Sequence, residues 1–245
     1  MGWDRLREQR HARMKELGVV DPEWDLSPRH PEVPAWEDAE SPEWQQRRME
    51  VYAAQITCMD RNIGRMVRHL KDTGAYGNTL FLYQHDNGGC HVEYGPGRTG
   101  SWTREVTTDG TREPIQPGNI PGLMPGPQTT FQSYGHGWAN ASNTPFRLFK
   151  QFDHEGGTRS PLIACWPKGI DHDVVGGLSH VVSHAVDLMP TLVEIAGGDE
   201  VRQRPFAFEG KSLLPELRHE HLHVDERPPI FWEHNHGKAV RGVKA

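Results

Sequence analysis

The chain has 245 residues, enough for one large domain or one and a half. Its hydrophobic fraction is 35%, low for an independent core, although 26 glycines account for part of the shortfall. A net charge of -6 excludes the basic footprint of a nucleic-acid binder, and no apolar run reaches the roughly 18 residues of a membrane span.

The elements follow in chain order. Residues 1–17 read as a charged helix in which Leu6 and Met14 stand among Arg, Glu and His. Met1-Gly2-Trp3-Asp4-Arg5 carries no apolar signal-peptide core. Residues 18–41 are rich in Pro and Asp and predict a loop. Ser41-Pro42-Glu43 is a helix start, and Gly74 is the matching stop. Between them Ile56, Met59, Ile63, Val67 and Leu70 recur at three and four residues, the pattern of one buried helical face. Thr79-Leu80-Phe81-Leu82-Tyr83 is a near-continuous apolar run, as expected of a strand covered on both faces. Residues 88–140 show little periodicity and read as a long loop, with 114–127 almost all turn formers. Pro161-Leu162-Ile163-Ala164-Cys165-Trp166 is a second covered strand, and Val181-Val182-Ser183 a weaker third. Asp187 starts a helix over Leu188–Ala196, stopped by Gly197-Gly198. Residues 199–229 read as polar loop, Ile230-Phe231-Trp232 as a strand. Strands alternating with helices predict an α/β fold.

Three widely spaced cysteines, Cys58, Cys90 and Cys165, make no disulfide framework and read as small buried side chains. The chemistry gathers in two blocks. Gln84-His85-Asp86-Asn87-Gly88-Gly89 sets a carboxylate and a carboxamide past the carboxyl end of a strand, where open α/β sheets bind ligands. These are hard oxygen donors suited to Ca²⁺ or Mg²⁺, and two glycines let the backbone turn sharply. The same residues also form ordinary turns. Lys150, in Lys150-Gln151-Phe152-Asp153-His154-Glu155-Gly156-Gly157-Thr158-Arg159, precedes a Gly-Gly turn. A lysine there can act as a point charge on an oxyanion, or stand solvated at the surface. His154 is a candidate contact for substrate or leaving group. Glu155 orders the turn, and Arg159 pairs with Glu155 or Asp153. His136, between two glycines in the long loop, is a candidate substrate contact. The remaining histidines, including His219-Glu220-His221-Leu222-His223 and His234-Asn235-His236, lack the ligand spacing of a zinc site. Asn140-Ala141-Ser142 matches a glycosylation acceptor, a tripeptide common by chance.

Met59-Asp60-Arg61-Asn62-Ile63-Gly64-Arg65-Met66-Val67, with Asn78-Thr79-Leu80 leading into Asp86-Asn87-Gly88-Gly89, is similar to a segment of the sulfatase family. Gly137-Trp138-Ala139-Asn140, Ser142-Asn143-Thr144-Pro145-Phe146-Arg147 and the Lys150–Arg159 block resemble its bacterial arylsulfatase branch. Pro161-Leu162-Ile163 with Trp166-Pro167, and Val186-Asp187-Leu188-Met189-Pro190-Thr191-Leu192 with Ala196-Gly197, continue the series. The resemblance covers about residues 45–235 in order. It implies part of an alkaline-phosphatase-like sandwich, with a mostly parallel central sheet flanked by helices. Residues 1–199 would be a partial catalytic domain, and 200–245 a linker and the start of a small C-terminal subdomain. It implies that Asp86 and Asn87 bind Ca²⁺, that Lys150 binds sulfate, and that Asp60 and Asp187 are structural. The implied activity is sulfuric ester hydrolysis of an aryl sulfate or sulfated glycan, in the periplasm or outside the cell.

The family forms its formylglycine nucleophile from a Cys/Ser-x-Pro-x-Arg motif. Cys58 is followed by Met-Asp-Arg and Cys90 by His-Val-Glu; Cys165-Trp166-Pro167-Lys168-Gly169 lacks the arginine. The early aspartate pair of the calcium site, and the upstream lysine and histidine, have no counterpart either. The expectation is therefore a truncated sulfatase, inactive alone. A phosphomonoester or phosphonate hydrolase of the same superfamily, and a non-catalytic sulfated-glycan-binding remnant, are the alternatives.

Overall fold

The computed structural model describes residues 1–100, 103–197, 208–220, 229–234 and 239–243. These fall into two compact units, one of residues 1–67 and 85–161, the other of 68–84 and 162–245.

In the first unit, α1 (Trp3–Glu16) is built from good helix formers, with Asp4 in the first turn and Arg13 and Lys15 in the last. Gly18, at φ 70°, ends it in the left-handed region. The helix buries Trp3 and Arg7. Trp3, Val33, Trp138 and Ala141 form the core, with Leu6, Trp36, Met49 and Tyr134 packed on it. Three indoles meet edge-on or tilted: Trp3–Trp36 at 4.7 Å, Trp3–Trp138 at 5.5 Å and Trp36–Trp138 at 5.7 Å. Two of their N–H groups are satisfied by main chain, Trp3 Nε1 by the Pro34 carbonyl and Trp138 Nε1 by the Gln45 carbonyl. At Gly137 a Cβ would lie 2.7 Å from the Trp3 ring, so only glycine lets α3 come this close.

The long helix α2 (Pro42–Asp72) starts on its proline, and Gly74 follows its end at φ 74°, as the sequence predicts. Its expected buried face is corrected. Only Trp44 and Arg48 are buried; Ile63, Val67 and Leu70 are half-buried, and Ile56 and Met59 are each 38% exposed. Cys58 is also exposed rather than buried, and Cys90 and Cys165 are intermediate. Periodicity marks a face that can be covered, not the element that covers it. Arg48 donates to the Ser133 carbonyl, to Gln45 and to Glu93, and its guanidinium stacks on Trp44.

The stretch 88–140 is not all loop. It holds the short strands β2 (Gln116–Pro117) and β3 (Thr130–Phe131), and the first part of α3 (Gly135–Ser142). Two glycines and no exposed face hide this helix from periodicity, because Trp138, Ala139, Asn140 and Ala141 are all buried. Asn140 is 2% exposed, so the glycosylation tripeptide is inaccessible in the folded chain. The unit closes with α4 (Glu155–Thr158).

In the second unit, β1 (Phe81–Gln84) pairs with β4 (Leu162–Cys165) in antiparallel register, Phe81 opposite Cys165 and Gln84 opposite Leu162. Among the described residues, only the β2–β3 ladder is parallel, so the parallel central sheet is not what these strands form. Hydropathy marks a strand as covered without fixing its neighbour's direction. Val181-Val182-Ser183 forms no strand: the Val181 amide donates to the Ser179 hydroxyl, and side-chain capping takes over the backbone. Asp187 is fully buried and structural, as expected. It accepts from the amides of His184 at 2.6 Å and Lys211 at 2.8 Å, and heads α5 (Leu188–Ile195). Asp60 is exposed on α2. A short α6 (Leu214–Leu217) precedes the hairpin of β5 (Ile230–His234) and β6 (Ala239–Val243). Most of the 199–229 loop, with His221, His223 and His236, lies outside the described residues.

Candidate functional site

The two chemistry-bearing blocks lie side by side in the first unit. The Gly88 amide donates to the Gly157 carbonyl at 3.0 Å, and the Lys150 amide donates to the Gly89 carbonyl at 3.1 Å. The contact is too close for larger residues. A Cβ on Gly88 would overlap the Gly156 carbonyl oxygen, and one on Gly89 the Tyr134 hydroxyl. Burial pushes that Tyr134 hydroxyl well above the usual phenol range, so it stays protonated.

Asn143 locks the two blocks together. Its carboxamide oxygen accepts from the Gly89 amide at 2.8 Å, and its nitrogen donates to the Leu148 carbonyl at 2.9 Å. The sequence shows Asn143 only as part of a matching block; nothing in its spacing marks it as a clamp. Leu148 and Gln151 flank Lys150 at positive φ, 65° and 78°, a conformation costly for such side chains. Phe149, fully buried, anchors the segment from below.

Against this frame the expected site residues take distinct places. Asp86 is exposed and Asn87 half-buried, and neither side chain makes a hydrogen bond among the described residues. A carboxylate and an amide oxygen with open lone pairs fit a hard cation as two of its roughly 6–8 ligands. Lys150 is exposed, and its ammonium forms no ion pair among the described residues. His154 caps α4 from its extended backbone, half-exposed, with Nδ1 3.4 Å from Asp153. Arg159 pairs with Glu155 at 3.4 Å, as expected, and stacks on Trp24.

His136 is corrected: it stands in α3, not in a loop. Its ring packs on Phe149 at 4.8 Å and lies beside His30 and His91. Burial, then the neighbouring imidazoles, lowers its pKa, and burial and His30 do the same for His91. Both rings are biased toward the neutral form. His30 and Glu32, which also face His136, carry no motif that the sequence reveals.

Comparison with known proteins identifies the family. The sulfatase family model matches residues 19–198. An uncharacterized sulfatase of Schizosaccharomyces pombe is 32% identical over 87% of this chain and 36% of its own length. The arylsulfatase of Klebsiella aerogenes is 31% identical over 81% of this chain and 40% of its own. The N-acetylgalactosamine-6-sulfatase of Sus scrofa is 28% identical over 75% of this chain and 26% of its own. The chain thus spans well under half the length of these relatives. The family match spans both blocks and well over half of the chain: the chain belongs to the sulfatase family.

Proposed function

We propose that the chain supplies the metal-anchoring and sulfate-binding loops of a sulfuric ester hydrolase. The observation that supports this reading is the pair of main-chain bonds from Gly88 to Gly157 and from Lys150 to Gly89. They hold two hard oxygen donors, and a lysine ammonium with no ion pair among the described residues, on adjoining turns, a combination suited to the anionic tetrahedral group of a sulfate ester.

In this reading Asp86 and Asn87 hold Ca²⁺. When bound, the ion supplies Lewis-acid polarisation of the sulfate oxygens. Lys150 pairs with a sulfate oxygen as a point charge, its direction set by the backbone on either side. His154 stands near the leaving-group oxygen, with Asp153 orienting its ring. His136 supports Lys150 through Phe149, on which it rests. The nucleophile, formylglycine in the family, has no Cys/Ser-x-Pro-x-Arg source among these 245 residues. The chain is therefore expected to bind sulfate esters without turning them over. The substrate class is an aryl sulfate or a sulfated glycan, in keeping with the names of the relatives, and the compartment periplasmic or extracellular. No described helix is long and apolar enough to cross a membrane.

Calorimetric titration with 4-nitrophenyl sulfate, with and without Ca²⁺, tests the reading. Binding should need Ca²⁺, vanish in Asp86→Ala, and weaken about 10- to 100-fold in Lys150→Ala, the loss of one charge-assisted bond of ~1.5–3 kcal/mol. Binding that ignores calcium and survives Lys150→Ala would sink it.

A further inference from the structure

A second cluster of donors lies beneath the candidate site. One ligand atom each from His30, Glu32 and His136 falls within 4.8 Å of the others. The Glu32 carboxylate is 3.7 Å from His136 Nδ1, and the His30 and His136 rings are 4.8 Å apart. We propose that His30, Glu32 and His136 form a binding site for a divalent transition ion of the zinc class, separate from the Asp86–Asn87 turn.

The donor chemistry selects the ion. Two imidazoles and one carboxylate suit Zn²⁺, whereas calcium takes an all-oxygen shell. Three protein ligands leave a fourth position, and Glu32, with 76% of its side chain exposed, leaves that position open to water. A tetrahedral ion with ~2.0 Å bonds needs ligand atoms roughly 3.3 Å apart, so the cluster must contract. Glu32 is free to supply that movement. His30 Nδ1 gives up little, since it accepts only a long bond, 3.3 Å, from the Glu32 amide.

Aromatic packing alone does not account for the cluster. His30, His91 and His136 all pack on Phe149, as phenyl rings would. Yet His136 turns Nδ1 toward the Glu32 carboxylate at 3.7 Å, a polar approach that the packing of phenyl rings would not require. The buried His136 Nε2 and His91 Nδ1, which have no hydrogen-bond partner among the described residues, are not the proposed ligand atoms. The surroundings are also preset for an ion. The His136 amide donates to Glu93 at 2.9 Å, and Glu93 is held by the buried Arg48 at 2.7 Å. The His30 amide reaches the Asn140 carboxamide at 3.5 Å. Two ligands therefore sit on anchored backbone and the third on an exposed side chain.

The test is competitive titration of the chelator-stripped chain with Zn²⁺ against a chromogenic chelator. One zinc per chain is expected, and excess calcium should leave its binding unchanged. Glu32→Gln, exposed and neutral to the fold, and His136→Gln should each weaken binding about tenfold or more. Zinc should raise the melting temperature of the wild-type chain but not of Glu32→Gln. Co²⁺ should give visible absorption that Glu32→Gln abolishes. Zinc bound equally well by Glu32→Gln and His136→Gln, as other histidines would produce, overturns the proposal. So does failure to bind zinc above the level of a surface histidine pair.

Discussion

Asn143→Ala is the sharpest test of how the two blocks are held. The change removes an acceptor 2.8 Å from the Gly89 amide and a donor 2.9 Å from the Leu148 carbonyl. Asn143 is 9% exposed, so water reaches these partners poorly. Each lost bond contributes ~1 kcal/mol net, and each buried group left unpaired costs ~1–3 kcal/mol, giving roughly 2–4 kcal/mol for the pair. Urea unfolding followed by tryptophan fluorescence reads this directly, because Trp3, Trp36 and Trp138 share the core of the same unit. With a slope near ~2 kcal/mol/M the midpoint should fall by about 1–2 M. Asn143→Asp separates the two bonds, since a carboxylate accepts from Gly89 but repels the Leu148 carbonyl. That repulsion raises the new carboxyl's folded pKa. Its proton is retained on folding, so the variant is most stable below the ordinary carboxyl value of ~4 and weakens as pH rises through the folded value. A loss under ~0.5 kcal/mol in Asn143→Ala, with the slope unchanged, would refute the clamp.

Two further outcomes follow from the same geometry. Gly88→Ala should cost ~2 kcal/mol or more, because its Cβ meets the Gly156 carbonyl, while Gly95→Ala, with open space around it, should be neutral or slightly stabilising. Equal melting temperatures for the two variants would contradict the close approach of the turns. The depressed pKa values of His91 and His136 set an acid limit. Below about 6.5 the unfolded chain takes up protons that the folded rings refuse, so their contribution is complete above that pH and is lost as pH falls toward the folded values. With a chelator present, the urea midpoint should drop between about pH 7.5 and pH 5.5, and His91→Phe should lessen the drop. A midpoint independent of pH would show that these rings stay neutral in both states.

The sequence makes some levels of this structure legible and hides others. Its local signals are reliable: Pro42 and Gly74 bracket α2, and Asp187 stands at the head of α5. The Asp86-Asn87-Gly88-Gly89 turn and the Lys150 segment also announce themselves, because close backbone approach requires glycines that composition displays. What composition does not display is pairing. The direction of β1 against β4, and the exposure of Ile56, Met59 and Cys58, depend on which neighbour arrives, not on the residues themselves. Helix α3 is concealed because it is buried all round and so has no polar face to create a period. The meeting of His30 and Glu32 with His136 is a product of tertiary folding, with no spacing in the chain to signal it.

The indole cluster has a bearing on chemistry that its distance from the motifs conceals. Trp138 is keyed between Trp3 and Trp36, and five residues later the same stretch of chain presents the Asn143 carboxamide. A helix turns about 100° per residue, so any slip of Trp138 in its socket would swing Asn143 away from Gly89. The angular setting of the two blocks is thus inherited from three rings that lie outside both of them. Substitutions in the first forty residues that reshape this socket would change the site as surely as changes at Lys150 itself, and they would do so by mis-aiming a helix.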